Sequence, residues 1–156
     1  MSEYPYFPIF IDLSDKKLLV FGAGKIARRR ITMLCQFTPD LAVIAPEALP
    51  EVEALAGEGK INLRKKAFEP EDLDGADIVF AATNSPAVND RIHDECKRRG
   101  IIVNVSTDRN KCDFYFPGVA RKGDIVAGVS ASGRDHAGAR KVSEAIREML
   151  EDMDRQ

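Results

Sequence analysis

The sequence has 156 residues and a mass of 17.2 kDa, which suits one domain, or one domain with a small appendage, and can bury about 70% of the unfolded chain's surface. Lys and Arg number 23 against 25 Asp and Glu, so the formal charge is −2 and no overall basic field attracts nucleic acid. Uninterrupted apolar runs such as residues 78–82 are far too short to span a bilayer. Three widely spaced cysteines without a CxxC pair, and the lack of a secretory signal, predict reduced thiols and a cytoplasmic location.

Short apolar runs alternate with segments of helical periodicity between residues 17 and 105. The predicted strands are residues 17–21, 41–45, 61–65, 77–83 and 101–105. Helices are predicted after the first, second and fourth strands, and a shorter one at residues 69–73. This alternation predicts an α/β fold of the Rossmann type, with a mostly parallel sheet and right-handed crossovers. Ahead of it, residues 4–13 form an aromatic arm whose two prolines disfavour a helix.

The pattern changes from Asp113 onward. Residues 119–129 indicate an antiparallel hairpin with a turn at 121–124, and a last helix is predicted from Ala137 to about Asp154. The predicted apolar face of that helix comprises Ala139, Val142, Ile146 and either Met149 or Leu150. Because a hairpin and one helix cannot bury themselves alone, we expect them to pack on the first module or on a second copy of the chain. The predicted division is therefore a Rossmann domain at residues 1–112 and a C-terminal segment at residues 113–156.

A glycine motif stands between the first strand and the first helix. Its residues fit the pattern G-x-G-x-x-A and are Gly22, Ala23, Gly24, Lys25, Ile26 and Ala27. In this pattern the first glycine permits a tight turn, the second lets a pyrophosphate approach the backbone, and the small sixth residue lets helix and strand pack closely. The motif predicts dinucleotide binding, and the alternative is a purely structural turn.

The ends of the second and fourth strands add candidates for the cofactor site. Glu47 follows the second strand, slightly later than the acid that usually holds the ribose hydroxyls of NAD. No arginine stands beside it in sequence to receive a 2′-phosphate, so NAD is favoured over NADP. Thr83 and Asn84 follow the fourth strand at the edge where ligands bind, with a helix cap before Pro86 as the alternative.

Two carboxylates and three arginines are further candidates. Asp108 leaves the fifth strand at the cofactor edge and is the best-placed group for proton transfer, with Asp113 as the second choice and a turn or capping role as the alternative for both. Arg28, Arg29 and Arg30 point about 100° apart on a helix, so they cannot share one target. The two histidines lack a ligand spacing, and no metal site is predicted.

Several segments together carry a family resemblance. They are the glycine motif and residues 7–10, 81–84, 104–105, 112–117 and 129–133. In this combination the chain resembles, over essentially its whole length, the precorrin-2 dehydrogenase and sirohydrochlorin ferrochelatase family, the dehydrogenase/chelatase part of sirohaem synthases. The resemblance implies NAD-dependent oxidation of precorrin-2 to sirohydrochlorin, with or without insertion of Fe²⁺ as a chelatase substrate. It also implies a homodimer in which the segments at 113–156 interlock around the substrate sites.

Basic residues toward the C-terminal end suit a polycarboxylate substrate if they converge, and are ordinary surface if they do not. A macrocycle with eight carboxylates would explain local basic and hydroxyl residues on a chain of net negative charge, and the candidates are Arg109, Lys111, Arg121, Ser130, Ser132, Arg134 and His136. In the family the carboxylate commonly occupies the position of Thr107, whereas here the acid is Asp108, and a serine of some members is Ala131 here.

Members of that family commonly continue into a longer helical region, whereas this sequence ends after one helix. We expect this difference to open the substrate cleft, remove chelatase activity or require a partner protein that replaces the region. Two alternatives to a dehydrogenase remain. One is an NAD(H)-binding sensor with a membrane partner, because such domains also consist of a single Rossmann unit of similar size. The other is a tetrapyrrole-binding scaffold without turnover, which the shorter helical region and the shifted acid at Asp108 suggest.

Overall fold

The computed structural model describes residues 4–153, so the predicted helix end at Asp154 lies outside the described residues. The strands are β1 (Leu18–Phe21), β2 (Leu41–Ile44), β3 (Asn62–Arg64), β4 (Ile78–Ala81), β5 (Ile102–Val105), β6 (Gly118–Lys122) and β7 (Ile125–Val129). The helices are α1 (Lys25–Leu34), α2 (Pro50–Gly57), α3 (Pro86–Arg99) and α4 (His136–Asp152), with short 3₁₀ turns at Pro70–Leu73 and Arg109–Lys111. Among the described residues, no helix is long and apolar enough to cross a bilayer.

The first five strands form one parallel sheet in the order β3-β2-β1-β4-β5. Every residue of β1, β2 and β4 is buried, as expected for parallel strands that are covered on both faces. Apolar residues of α1 and α3 cover the sheet, including Ala27 and Ile31 on α1 and Ile92 and Cys96 on α3. The predicted α/β fold of the Rossmann type is confirmed.

The chain divides into two compact units. The first is residues 11–114 and contains the parallel sheet with α1, α2 and α3. The second joins the N-terminal arm, up to Phe10, to the chain from Tyr115 onward. Within the second unit the rings of Tyr6 and Tyr115 stack with centroids 4.6 Å apart, and the backbone N–H of Tyr6 donates to Ser132 Oγ at 3.2 Å. The arm is therefore part of the same unit as the hairpin and α4.

The hairpin differs from the prediction in its turn. β6 and β7 pair from Gly118↔Val129 to Lys122↔Ile125, so the connection is the two residues Gly123 and Asp124 and not residues 121–124. Gly123 has a φ of 56°, which a two-residue hairpin turn requires and glycine adopts without strain. The strand β6 consequently extends two residues further toward the turn than expected, and β7 begins at Ile125 as predicted.

The buried face of α4 also differs from the prediction. Ser143 and Leu150 are buried, whereas Val142 and Met149 are 50% and 59% exposed. Ser143 lies so close to β6 that a Cβ at Gly118 would be 2.2 Å from its hydroxyl oxygen. The close approach at this glycine selects which side of α4 faces the hairpin, and the sequence period alone does not specify it.

Candidate functional site

The sheet order reverses between β1 and β4, and both strands end at the same edge. In open parallel sheets ligands bind at such a switch point, beyond the carboxyl ends of the strands. Gly22 follows β1 here with a φ of +103°, and a Cβ on it would lie 2.3 Å from the carbonyl oxygen of Ala82 and 2.9 Å from the nitrogen of Thr83. Only glycine lets the turn after β1 pass this close to the chain that leaves β4.

Gly24 meets a different requirement. It is the N-cap of α1, it has no side chain to cap the helix, and the first turn of α1 contains no acid. A Cβ on Gly24 would meet no atom within 4 Å, so the backbone borders open space at this point. Uncapped N–H groups at a helix N-terminus bind anions well. The two glycines thus form a turn that fits a dinucleotide pyrophosphate.

The loop after β2 lies against the glycine turn. The backbone N–H of Leu49 donates to the carbonyl of Ala23 at 3.1 Å, and Glu47 is exposed two residues earlier in the same loop. The sheet also pairs Ile44, the last residue of β2, with the exposed Arg64 of β3. No arginine adjoins Glu47 in the sequence, but the register of β3 brings the backbone of Arg64 beside the end of β2.

Asn89 is a polar residue of this edge that sequence reasoning missed. Its side-chain amide is fully buried on α3. Oδ1 accepts hydrogen bonds from the backbone N–H of Thr83 at 3.1 Å and from its hydroxyl at 2.7 Å. Nδ2 donates to the carbonyl of Thr83 at 3.1 Å and to the hydroxyl of Thr107 at 3.2 Å. The available signal was a polar residue at helical spacing from the buried Ile92 and Cys96.

The capping alternative for the residues after β4 does not hold. Ser85 is the N-cap of α3, and its hydroxyl accepts from the backbone N–H of Val88 at 3.4 Å. Thr83 is instead held by the amide described above, and Asn84 is exposed. Both therefore lie at the carboxyl edge without serving as the cap.

The two candidate carboxylates have different surroundings. Asp108 begins the 3₁₀ turn after β5, where its Oδ1 accepts from the backbone N–H of Asn110 at 2.9 Å. Asp113 lies beside the middle of β5, where Oδ1 accepts from Lys97 Nζ at 2.6 Å and Oδ2 from the backbone N–H of Val103 at 2.9 Å. Both oxygens of Asp113 thus hold the returning chain in place. Asp108 caps the 3₁₀ turn, which is the capping role named as its alternative, and proton transfer by Asp108 stays a prediction.

The three arginines of α1 diverge. Arg28 forms an ion pair with Glu51 at 3.2 Å, and Arg29 is exposed. Arg30 Nη1 donates to Asn104 Oδ1 at 2.6 Å, and burial lowers the pKa of its guanidinium from the ordinary value. The amide of Asn104 in turn donates to the carbonyl of Phe114 at 2.8 Å. Arg30 therefore links α1 to Asn104 of β5, and through that amide to the chain that follows β5.

Two of the predicted substrate-binding residues lie in the first unit. Lys111 Nζ donates to Asp90 Oδ1 at 2.6 Å, and this hydrogen bond raises the pKa of Lys111. Arg109 is exposed at the start of the 3₁₀ turn. Among the described residues, no group of three or more His, Cys, Asp or Glu side chains could hold a metal ion.

The other predicted substrate-binding residues lie in the second unit. The hydroxyl of Ser130 accepts from the backbone N–H of Ser132, whose own hydroxyl accepts from the arm. Ser132 has a φ of 53°, which is uncommon for a residue with a side chain. The remaining three residues are exposed. Arg121 lies on β6, Arg134 lies just before α4, and His136 is the first residue of α4. Convergence of the two subsets on one substrate stays a prediction.

Comparison with known proteins gives three findings. The family model described as "Putative NAD(P)-binding" matches residues 9–118. The "Probable multifunctional siroheme biosynthesis protein HemA" of Ruminiclostridium josui is 37% identical over 147 residues, which cover 94% of this chain and 28% of that protein. "Siroheme synthase 1" of Cronobacter sakazakii is 35% identical over 145 residues, which cover 93% of this chain and 31% of that protein. The chain thus spans about 30% of the length of these relatives.

Among solved structures, the chain is similar to "SirC, precorrin-2 dehydrogenase" with a TM-score of 0.80. The match has 23% sequence identity and covers 96% of this chain and 76% of that chain, so the two share a fold. The family resemblance found in the sequence is confirmed by these alignments.

Proposed function

The chain belongs to the NAD(P)-binding family whose model it matches, and from this premise we propose that it binds NAD⁺ at the glycine turn and oxidises precorrin-2 to sirohydrochlorin. The observation that carries the cofactor site is the contrast between Gly22, where a Cβ would clash with the chain after β4, and Gly24, where it would enter open space. The substrate is proposed because sirohaem synthases align with nearly the whole chain and because the fold matches a protein named precorrin-2 dehydrogenase.

The proposed reaction converts precorrin-2 and NAD⁺ into sirohydrochlorin, NADH and one proton. NAD⁺, when bound, supplies the hydride acceptor. The N–H groups at the start of α1 hold its pyrophosphate, and Glu47 accepts hydrogen bonds from a ribose hydroxyl. Asp108 accepts the proton that the substrate loses. Orientation of the reacting carbon toward the nicotinamide is the main contribution of the protein to the rate.

The decisive experiment is an anaerobic assay of the purified protein with precorrin-2 and NAD⁺. We expect one NADH per precorrin-2 consumed and the spectrum of sirohydrochlorin. Gly24→Asp should abolish NAD⁺ binding by bulk and charge, whereas Gly57→Asp is the matched control because a Cβ there also meets nothing within 4 Å. If the protein binds NAD⁺ but forms no NADH, the proposed dehydrogenase activity is wrong and a sensor or scaffold is favoured instead. Retained NAD⁺ affinity in Gly24→Asp would disprove the site.

The same assay distinguishes the two dinucleotides and the second reaction. Glu47 favours NAD⁺, whereas an arginine near the end of β2, such as the exposed Arg64 that pairs with Ile44, would favour a 2′-phosphate. Dissociation constants for NAD⁺ and NADP⁺ should therefore be compared directly. Fe²⁺ is added after sirohydrochlorin has formed. An iron-dependent spectral change faster than the rate without protein would add the chelatase, and its absence would limit the proposal to oxidation.

The second unit supports a homodimer. In its described part the buried apolar side chains are Ala120 and Leu150. Val142 and Met149 are exposed on one side of α4, and the exposed Met153 directly follows the helix. An exposed apolar stripe of this kind on a unit with so little core is typical of an interface. Light scattering should give a dimer for the wild-type protein and a monomer for Met149→Glu, with Lys141→Glu on a polar side of α4 as the control. A monomeric wild-type protein would contradict this assignment.

A further inference from the structure

Asn89 makes the maximum number of hydrogen bonds that a side-chain amide can make. It is fully buried beneath the cofactor edge. Its oxygen accepts two hydrogen bonds and its nitrogen donates two, from and to the residues Thr83 and Thr107. A buried amide is costly unless it is satisfied in this way, so the arrangement fixes both the amide and the groups around it.

The amide continues the sheet where the strands stop. The last backbone hydrogen bond between the two chains leaving β4 and β5 joins the N–H of Ser106 to the carbonyl of Ala81 at 2.9 Å. Beyond it, Asn89 accepts from the N–H of Thr83 and donates to its carbonyl, as a residue on a neighbouring strand would. The second N–H of Nδ2 donates to the hydroxyl of Thr107, in the segment that follows β5. One side chain thus ties together two loops that the sheet no longer holds.

The two loops have different tasks in the proposed function. The chain around Thr83 is the wall against which the Gly22 turn packs. Thr107 immediately precedes Asp108, the proposed proton acceptor. We propose that Asn89 is a positioning residue that holds the cofactor wall and the Asp108 loop in one fixed arrangement. This inference rests on the proposed function, and neither the nucleotide nor the substrate has to contact Asn89.

The test compares three variants of the full chain with the wild-type protein. Asn89→Ala removes both connections, and we expect the dissociation constant for NAD⁺ to rise about tenfold and turnover to fall further. Thr107→Val removes only the connection to the Asp108 loop, so NAD⁺ affinity should stay within about twofold while turnover falls roughly two- to tenfold, the effect of one neutral hydrogen bond. Ile92→Val is the control, because it is equally buried on the same side of α3 and makes no side-chain hydrogen bond.

Hydrogen exchange provides a readout that does not depend on activity. The backbone N–H groups of Ser106 and Asp108 should exchange faster in Asn89→Ala and Thr107→Val than in Ile92→Val, when each variant is measured well below its melting temperature. A merely structural role predicts a different result. All three variants would then lose activity in proportion to their loss of stability, and Thr107→Val would lose NAD⁺ affinity together with turnover.

Each outcome decides the inference. Wild-type NAD⁺ affinity and turnover in a folded Asn89→Ala variant would overturn it, and so would an Ile92→Val variant that reproduces the loss of affinity. If Asn89→Ala does not fold, Thr107→Val decides, and unchanged turnover and exchange would refute the coupling. If the wild-type protein binds NAD⁺ without oxidising precorrin-2, the proposed substrate is wrong while the affinity and exchange comparisons still test Asn89. If it does not bind NAD⁺ at all, the proposed function and this inference both fail.

Discussion

Alanine substitutions at the two motif glycines should affect different properties of the protein. At Gly22 the φ of +103° lies outside the regions that side-chain-bearing residues occupy readily, and the strain costs about 1–3 kcal/mol. The added Cβ would also lie 2.3 Å from the carbonyl oxygen and 2.7 Å from the carbonyl carbon of Ala82. These are backbone atoms, so relief requires β1 and β4 to separate, which adds about 1–3 kcal/mol. Gly22→Ala should therefore lose about 2–6 kcal/mol of a total stability of about 5–15 kcal/mol.

Gly24→Ala should show the reverse behaviour. The backbone φ of −84° suits any residue, and the Cβ meets no protein atom within 4 Å. The expected loss is at most about 1 kcal/mol, because alanine is a poorer N-cap than glycine. The same methyl group would occupy the space through which the pyrophosphate approaches the backbone, so the dissociation constant for NAD⁺ should rise at least about tenfold.

Urea denaturation followed by circular dichroism measures the first effect, and calorimetric titration with NAD⁺ measures the second. Both variants are compared with the wild-type protein at the same temperature and salt concentration. A Gly22→Ala variant with wild-type stability would refute the argument from backbone strain and close approach. A Gly24→Ala variant that binds NAD⁺ normally would refute the location of the pyrophosphate.

Three further predictions concern side chains of the first unit. Asp108→Asn should slow oxidation and leave NAD⁺ affinity unchanged. Asp113→Asn should lower the urea midpoint, because the oxygens of Asp113 accept hydrogen bonds from a lysine and from a backbone N–H. The opposite pattern would mean that Asp113 accepts the proton and Asp108 has the structural role. Arg30→Met should lower the free energy of unfolding by about 1–3 kcal/mol, because it leaves a buried amide oxygen without its charged donor. Arg28→Met should lower it by less than about 0.5 kcal/mol, because the ion pair of Arg28 is exposed. Equal urea midpoints for the two variants would contradict this. Burial raises the pKa of Cys96 to about 12, so about one thiol in 10,000 is ionised at pH 8 and mass spectrometry should detect no alkylation by iodoacetamide until the protein unfolds.

The sequence was sufficient where the determining interactions are local. Strands such as residues 78–81 appear as apolar runs because parallel strands are buried on both faces. The position of Gly22 is equally local, since a turn after a strand and before a helix restricts its backbone. Both features follow from residues adjacent in the chain, and the structure has them where the patterns predicted them.

The sequence was insufficient where two distant segments meet. Arg64 reaches the end of β2 only because β3 pairs with it in a particular register, and no spacing in the sequence contains that information. Asp113 was the second choice for proton transfer in the sequence, yet its partners come from α3 and the middle of β5. Val142 and Ser143 are adjacent on α4, and the approach of Gly118 decides which of them is buried.

Polar residues hold the loops beyond the strands through their side chains. Asn89 forms hydrogen bonds with both the N–H and the carbonyl of Thr83. The amide of Asn104 donates to the carbonyl of Phe114, and Asp113 accepts from a backbone N–H of β5. A functional edge needs chain segments that leave the sheet, and each segment that leaves has backbone groups that the ladder no longer satisfies. Side-chain amides and carboxylates satisfy them without adding a strand that would cover the edge. The same residues therefore satisfy backbone groups of these segments and leave the edge uncovered by a further strand.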